Sequence, residues 1–195
     1  MFLMCLEINR LGCRQESVVE NQWEDDDEFD SEYDVKLEEV NDVAEIFYLI
    51  CQELQNSNIV QFKVEGFGKS PWPVDVSTDF LTVLEQISDI LKFLDSELST
   101  NDLEFYEQGI ERKITFRQEE DLIRINCYGG KPEATWGQNI EEKPIEKTYL
   151  KTMICEMIKS FVSISNELCP TLTSHRCFQE WCSAIADLVG WALPI

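Results

Sequence analysis

The sequence predicts an α+β fold, with an antiparallel sheet of four or five strands and about four helices mainly on one face. Apolar residues recur every three or four positions in four long segments, which is the pattern of amphipathic helices. In short segments they alternate with polar residues, which is typical of half-buried strands. Glycine and proline are scarce, at 8 and 6 of 195 residues, so the chain is not of low complexity.

Two strands and two helices are predicted in the first half of the chain. Residues 1–15 hold an N-terminal strand. An apolar stripe from Leu37 to Leu54 predicts the first helix. Residues 60–65 alternate as a strand does. Ser77 is a suitable N-cap for a second helix, whose stripe runs on to Leu98.

The second half predicts a meander followed by two helices. Short alternating segments at 103–106, 113–117 and 123–128 are separated by hairpin-length connections, so they form antiparallel strands. Their apolar face needs a cover of helices. Residues 129–144 are interpreted as a loop, and helices follow from Leu150 to Leu168 and from about Ser174 to Val189. Residues 35–195 are therefore interpreted as one α+β domain.

The charge of the chain is strongly negative and unevenly distributed. It has 38 acidic and 16 basic residues, a net charge of −22. Residues 20–45 hold thirteen of the acids and one base, Lys36. Such dense like charges repel one another, so residues 16–34 are predicted to be a flexible acidic loop. The excess of acidic over basic residues argues against direct nucleic-acid binding, which needs a basic surface. It favours a basic protein partner.

Nothing in the sequence indicates a membrane, a cofactor or a metal. No run of 18 apolar residues occurs, and the N-terminus lacks the features of a secretion signal. Most of the eight cysteines lie on apolar faces, which favours reduced thiols and a cytoplasmic protein. A zinc site is the alternative interpretation of four residues near the C-terminus, although their spacing departs from that of the usual paired ligands. The four residues are Cys169, His175, Cys177 and Cys182.

Enzyme motifs are absent from the sequence. There is no phosphate-binding loop, nucleophile elbow or dinucleotide fingerprint, and His175 is the single histidine. We therefore expect a non-enzymatic protein, and a small-molecule enzyme without a recognisable motif is an alternative. The oligomeric state is left open.

Two groups of residues are candidate contacts for a partner. The first is the acidic stretch with its aromatic anchors: Trp23, Asp25, Asp26, Asp27, Glu28, Phe29 and Tyr33. Charge would speed association there and the rings would provide buried contacts. The second is a polar surface of the meander: Glu104, Tyr106, Arg112, Arg117 and Arg124. The competing interpretations are a solvated tail and a solvated sheet face.

Residues 60–130 resemble an uncharacterised family of small bacterial α+β proteins. The resemblance lies in the segment 72–75 (Trp-Pro-Val-Asp), in 105–112 (Phe-Tyr-Glu-Gln-Gly-Ile-Glu-Arg) and in 125–127 (Ile-Asn-Cys). Proteins of this kind are often immunity proteins, so the resemblance implies an inhibitor that neutralises a toxin. A nucleic-acid mimic, which would block a DNA- or RNA-binding protein, is the second alternative.

Overall fold

The computed structural model describes residues 1–8, 37–106, 110–129 and 140–190, and it confirms the α+β class. The acidic loop predicted at 16–34, with its aromatic anchors, lies outside the described residues. In chain order the elements are β1 (Leu3–Ile8), α1 (Val43–Asn56), β2 (Val60–Glu65), α2 (Leu81–Asp95), β3 (Thr100–Phe105), β4 (Arg112–Glu119), β5 (Leu122–Gly129), β6 (Ile140–Glu141), β7 (Ile145–Glu146), α3 (Lys147–Leu168), α4 (Pro170–Thr173) and α5 (Arg176–Val189). None of the helices in this part of the chain is long and apolar enough to cross a membrane.

The strands form two antiparallel sheets. β1 pairs with β2 and does not join the meander. Of the N-terminal segment predicted at 1–15, residues 9–15 lie outside the described residues. The second sheet has the order β3-β4-β5-β6, and β7 also pairs with β5. Both β6 and β7 have two residues, which is too short for any hydrophobic period. The loop predicted at 129–144 therefore contains a strand, β6, which exists because it pairs with β5.

The core lies between the sheets and the helices. Alternate residues of β3, β4 and β5, such as Leu103, Phe116 and Ile125, point inward and are fully buried. α2 contacts β3, and α3 contacts both β1 and β5. An aromatic cluster joins the helices: the ring of Phe161 lies 5.5 Å from that of Phe80 and 6.0 Å from that of Phe178. These buried rings pack edge to face between the helices, together with aliphatic side chains of the same core.

The helix ends differ from the predicted ones because of local capping. α1 begins at Val43, since the Asp42 carboxylate accepts a hydrogen bond from the Ala44 amide at 3.0 Å. Residues 37–39 form a separate 3-10 turn. Ahead of α2, Asp75 is the cap of a π-helical turn instead of Ser77, and it accepts from the Thr78 amide at 2.7 Å.

Two further details of the helix prediction are corrected. α2 ends at Asp95, so Leu98 lies beyond the helix and is 58% exposed. His175 precedes α5 as its N-cap, and its Nδ1 accepts from the Cys177 amide at 3.3 Å. No disulfide joins the seven described cysteines.

Candidate functional site

The outer face of the five-stranded sheet carries a row of paired charges. Lys113 lies between two carboxylates of β3, with Nζ 2.5 Å from Asp102 Oδ2 and 3.4 Å from Glu104 Oε1. Arg124 makes a bidentate contact to Glu119, at 2.8 and 2.9 Å. These pairs are the cross-strand contacts expected of an antiparallel sheet. Most charges on this face are therefore engaged within the protein.

The paired carboxylates are more acidic than usual. Partial burial alone would raise the pKa of Asp102, but hydrogen bonds from Lys113 and Thr115 outweigh it and lower the pKa below the ordinary value of 3.8. The hydrogen bond from Arg124 lowers the pKa of Glu119. Both groups therefore hold their charge more firmly than a free carboxylate does.

The structure places the five predicted residues of the meander on different surfaces. Glu104, Arg117 and Arg124 lie on the outer face. Tyr106 follows the end of β3, and its hydroxyl donates to Glu85 of α2 at 2.7 Å. Arg112 lies on the same side of β4 as Ile114 and Phe116, which is the inward side, and it is 4% exposed. Strand alternation was the sequence signal for this inward position.

Arg112 lines a shallow pocket at the end of the sheet. The pocket has a volume of about 380 Å³, and its walls include Tyr106, Lys113 and Tyr128. Arg112 also hydrogen-bonds to Cys127, where burial raises the pKa of the thiol to about 11 although the guanidinium works to lower it. The thiol is therefore protonated at neutral pH and is a poor nucleophile.

A second charged surface lies on and before α1. We call it the α1 acidic surface, and it consists of Glu38, Glu39, Asp42, Glu45 and Glu53. No lysine or arginine occurs from residue 37 to residue 62. Tyr48 lies on the same helix and is 52% exposed. This helix therefore presents carboxylates beside an accessible aromatic ring.

Buried contacts hold α1 in place. Its inward face, which includes Ile46, Phe47 and Ile50, is buried. The ring of Phe47 lies 4.9 Å from that of Trp181 on α5 and 6.1 Å from that of Phe161 on α3. The acidic surface is therefore carried by a helix anchored in the core. Sequence reasoning counted four of these acids, all but Glu53, within residues 20–45 and assigned the partner contacts to the preceding stretch.

The structure does not bring the C-terminal cysteines and histidine together as a metal site. Within the described ranges there is no group of three or more cysteine, histidine or acidic side chains that could hold an ion. Burial raises the pKa of the Cys182 thiol to about 12. The thiol of Cys182 is therefore a buried apolar group of α5.

Comparisons with protein-family models, with curated proteins and with solved structures gave no match to this chain.

Proposed function

We propose that the protein is a non-enzymatic binding module that docks a basic protein partner through the α1 acidic surface. The observation that carries the proposal is a set of exposed carboxylates on α1 and on the turn before it, in a segment of the sequence that contains no lysine or arginine. Long-range attraction to such a surface accelerates association, and a central aromatic side chain supplies contact energy. Tyr48 provides that ring.

The acidic stretch that precedes α1 in the sequence lies outside the described residues, and we propose that it takes part in the same contact. Trp23, Phe29 and Tyr33 there supply further apolar anchors beside the carboxylates of residues 24–34. The charge of the described residues supports the proposal independently, because they carry 26 acidic and 12 basic side chains. The negative excess is thus not confined to one segment.

We propose a toxin as the partner, with this chain as its immunity or inhibitor protein. Toxins that act on nucleic acids are basic, because they bind phosphate backbones. A strongly acidic protein is complementary to such a surface. The resemblance of residues 60–130 to immunity-like proteins agrees with this choice of partner.

The test is affinity capture from cells that produce the protein, with two matched variants as bait. The first combines Glu38→Gln, Asp42→Asn, Glu45→Gln and Glu53→Gln, in which the new asparagine side chain preserves the helix cap. The control removes four exposed acids elsewhere: Asp89→Asn, Glu156→Gln, Glu167→Gln and Asp187→Asn. The captured protein is then purified and its dissociation constant is measured with each bait.

We expect the wild type and the control to bind one basic protein, and the α1 variant to bind it at least about tenfold more weakly. The weakening should lie mainly in the association rate and shrink at high salt. A partner that is not basic, equal binding by the α1 variant, or failure of the wild type to retain any partner would each refute the proposal.

A nucleic-acid mimic is the second candidate, and one observation favours it. The carboxylates of residues 38–53 lie on ordered backbone, and a mimic needs spaced charges in fixed positions. The mimic predicts that the captured partner binds DNA or RNA, and that the chain competes with it for that site. A partner that binds this chain and nucleic acid at the same time would exclude the mimic.

A further inference from the structure

Strand β1 lies at the edge of its two-stranded sheet, beside α3. β2 pairs with one side of β1, and within the residues that the structure describes no other strand pairs with the opposite side. Helix α3 flanks that side, because the Met4 amide donates a hydrogen bond to the sulfur of Met153 at 3.3 Å. A strand edge with unpaired backbone groups is a template for the addition of a further strand.

Two hydrogen bonds show which backbone groups of β1 point away from β2. The Met4 amide bonds to the sulfur on α3, and the carbonyl of its register partner, Val64, accepts from the Trp72 amide at 2.8 Å. Met4 and Val64 are therefore a pair that exchanges no hydrogen bonds within the ladder. In an antiparallel ladder such pairs recur at every second residue. The amides and carbonyls of Leu6 and Ile8 therefore also point away from β2.

A groove runs beside these backbone groups. It has a volume of about 560 Å³, and its walls include residues 6–8 of β1 and, from α3, Ser160, Ser163 and Ile164. No residue of β2, all of which the structure describes, lines the groove, so it lies on the unpaired side of β1. Toward Met4 the helix closes this edge, whereas its two serines leave space beside residues 6–8.

A strand added in the groove meets different chemistry on its two faces. Ile8 is 40% exposed there, and the buried side chain of Ile164 lies opposite it, so this face favours apolar side chains. Glu7 points to the other face, because successive side chains of a strand alternate. Its side chain is 50% exposed. A complementary strand therefore alternates apolar side chains with basic ones.

The charges around the groove nearly balance, so the charge of the whole chain selects the occupant. Two bases lie beside the groove and each contacts an acid: Lys63 Nζ lies 3.1 Å from Glu7 Oε2, and Lys159 Nζ lies 2.6 Å from Glu156 Oε1. Glu167 is a third acid, four residues after the second serine on the same face of α3. Three acids and two bases leave a local charge of −1, in a chain of net charge −22. A basic segment is therefore attracted, and a second copy of this chain is repelled.

We propose that the groove between β1 and α3 binds an extended segment of a basic protein, which adds a strand to the unpaired edge of β1. The backbone of the segment exchanges hydrogen bonds with Leu6 and Ile8. Its apolar side chains lie against Ile8 and Ile164, and its lysine or arginine side chains lie on the side of Glu7. The inference rests on the proposed function for the basic class of partner, but it uses a surface other than the α1 acidic surface.

The experiment uses three capped synthetic peptides of ten residues. In the first, valine alternates with lysine. The second has the same sequence with N-methyl groups on its four central backbone amides, which removes the donors of both edges and keeps the charge. In the third, glutamate replaces lysine. Fluorescence anisotropy measures the binding of each peptide to the full chain.

Two substitutions of one residue test the contact with β1. Ile8→Pro removes the amide that points into the groove, and the strand tolerates proline there because that amide does not pair with β2. Ile8→Ala removes the side chain and keeps the amide, so it is the matched control. Urea unfolding checks both variants. Hydrogen exchange of the wild-type amides at residues 5–8, with and without the first peptide, provides a measurement that needs no variant.

We expect the valine–lysine peptide to bind the wild type at least about tenfold more tightly than either of the others. Ile8→Pro should lose the preference for the unmethylated backbone and Ile8→Ala should keep it. Bound peptide should slow exchange at Leu6 and Ile8 but not at Cys5 and Glu7, which already pair with β2. Equal binding of the first peptide and either other, or unchanged exchange at Leu6 and Ile8, would overturn the inference. So would a wild type that sediments as a dimer when Ile8→Pro sediments as a monomer.

The four-site variant of α1 separates the two proposals. It should weaken both lysine peptides by a similar factor and leave the preference for the unmethylated backbone unchanged. A captured partner that binds independently of α1 would refute the proposed function, whereas the inference about the groove depends on the backbone preference and on the exchange of Leu6 and Ile8.

Discussion

Helix α1 and the outer face of the five-stranded sheet carry similar numbers of carboxylates in different surroundings. On the sheet, Lys113 is held by Asp102 and Glu104, and Arg124 is held by Glu119. On α1 and the turn before it, five carboxylates follow one another in a segment of the sequence without a base. Cross-strand pairing therefore neutralises charge on the sheet within the molecule, whereas the carboxylates on α1 and the turn before it face solvent, where the proposed partner would meet them.

The two regions also differ in how they are attached. α1 is fixed by one face of side chains, while the sheet is fixed by backbone ladders and, at its β3 edge, by a side chain of α2. Gln86 donates to the Glu104 carbonyl and accepts from the Glu104 amide, both at 2.9 Å. Apart from Asp42, which caps the helix, the outer acidic side chains of α1 make no contact, within the part of the chain that the structure describes, that holds the helix on the core.

The largest expected effect is a difference in stability between substitutions at two neighbouring residues of α1, Phe47 and Tyr48. Phe47→Ala should lower the free energy of unfolding by about 3–5 kcal/mol, because it empties a site between Phe161 and Trp181. Tyr48→Ala should change the free energy of unfolding by less than about 0.5 kcal/mol. It should nevertheless weaken the binding of the captured partner. Urea denaturation and binding measurements test the pair. If both variants are equally stable, α1 is not anchored as described.

The next effect concerns the β3 edge of the sheet. Gln86→Ala removes both hydrogen bonds to Glu104, and we expect a loss of about 1–3 kcal/mol in unfolding free energy. Gln52→Ala, at a half-buried position of α1, is the matched control and should cost less than about 0.5 kcal/mol. Hydrogen exchange at the Glu104 amide should accelerate in the first variant alone. Unchanged exchange would show that Gln86 does not protect this edge.

The strands and helices were predictable wherever a periodic segment was long enough. The alternation of Val60, Phe62 and Val64 marks β2 correctly. A hairpin between β4 and β5 was also predicted, but its connection was placed at 118–121, whereas the ladder runs on to Glu119 and begins again at Leu122. Leu98 was predicted as part of the apolar stripe of α2, but the chain leaves the helix at Asp95. Periodicity shows which residues could share a face, and tertiary contacts decide where the helix stops.

The candidate sites were less predictable, because they depend on pairing between distant strands. The ion pairs of Lys113 join β4 to two residues of β3, so they cannot be read from any one segment. The α1 acidic surface was visible as a stretch without bases, but its ordered helical context was not separated from the preceding acidic residues. Arg112 was predicted from its polarity to contact a partner, although its strand parity indicated an inward position.

The smallest effect tests the ion pairs of the sheet by their pH dependence. The pKa of Asp102 lies below 3.8 in the folded protein, so its charged form is favoured by folding. This stabilisation is fully present above the unfolded pKa and is lost as the pH falls through the folded pKa. Since the side chain is partly exposed, Asp102→Asn should cost less than about 1 kcal/mol at pH 7.

The difference between Asp102→Asn and the wild type should therefore shrink as the pH falls below 3.8 and vanish below the folded pKa of Asp102. Glu45→Gln on α1 is the control, because the structure gives its carboxylate no ion pair among the described residues. Urea unfolding at a series of pH values measures both. A difference for Asp102→Asn that persists at pH 2 would mean that packing, and not charge, accounts for its effect. The ion pairs that distinguish the sheet from α1 would then not contribute to the stability of the fold.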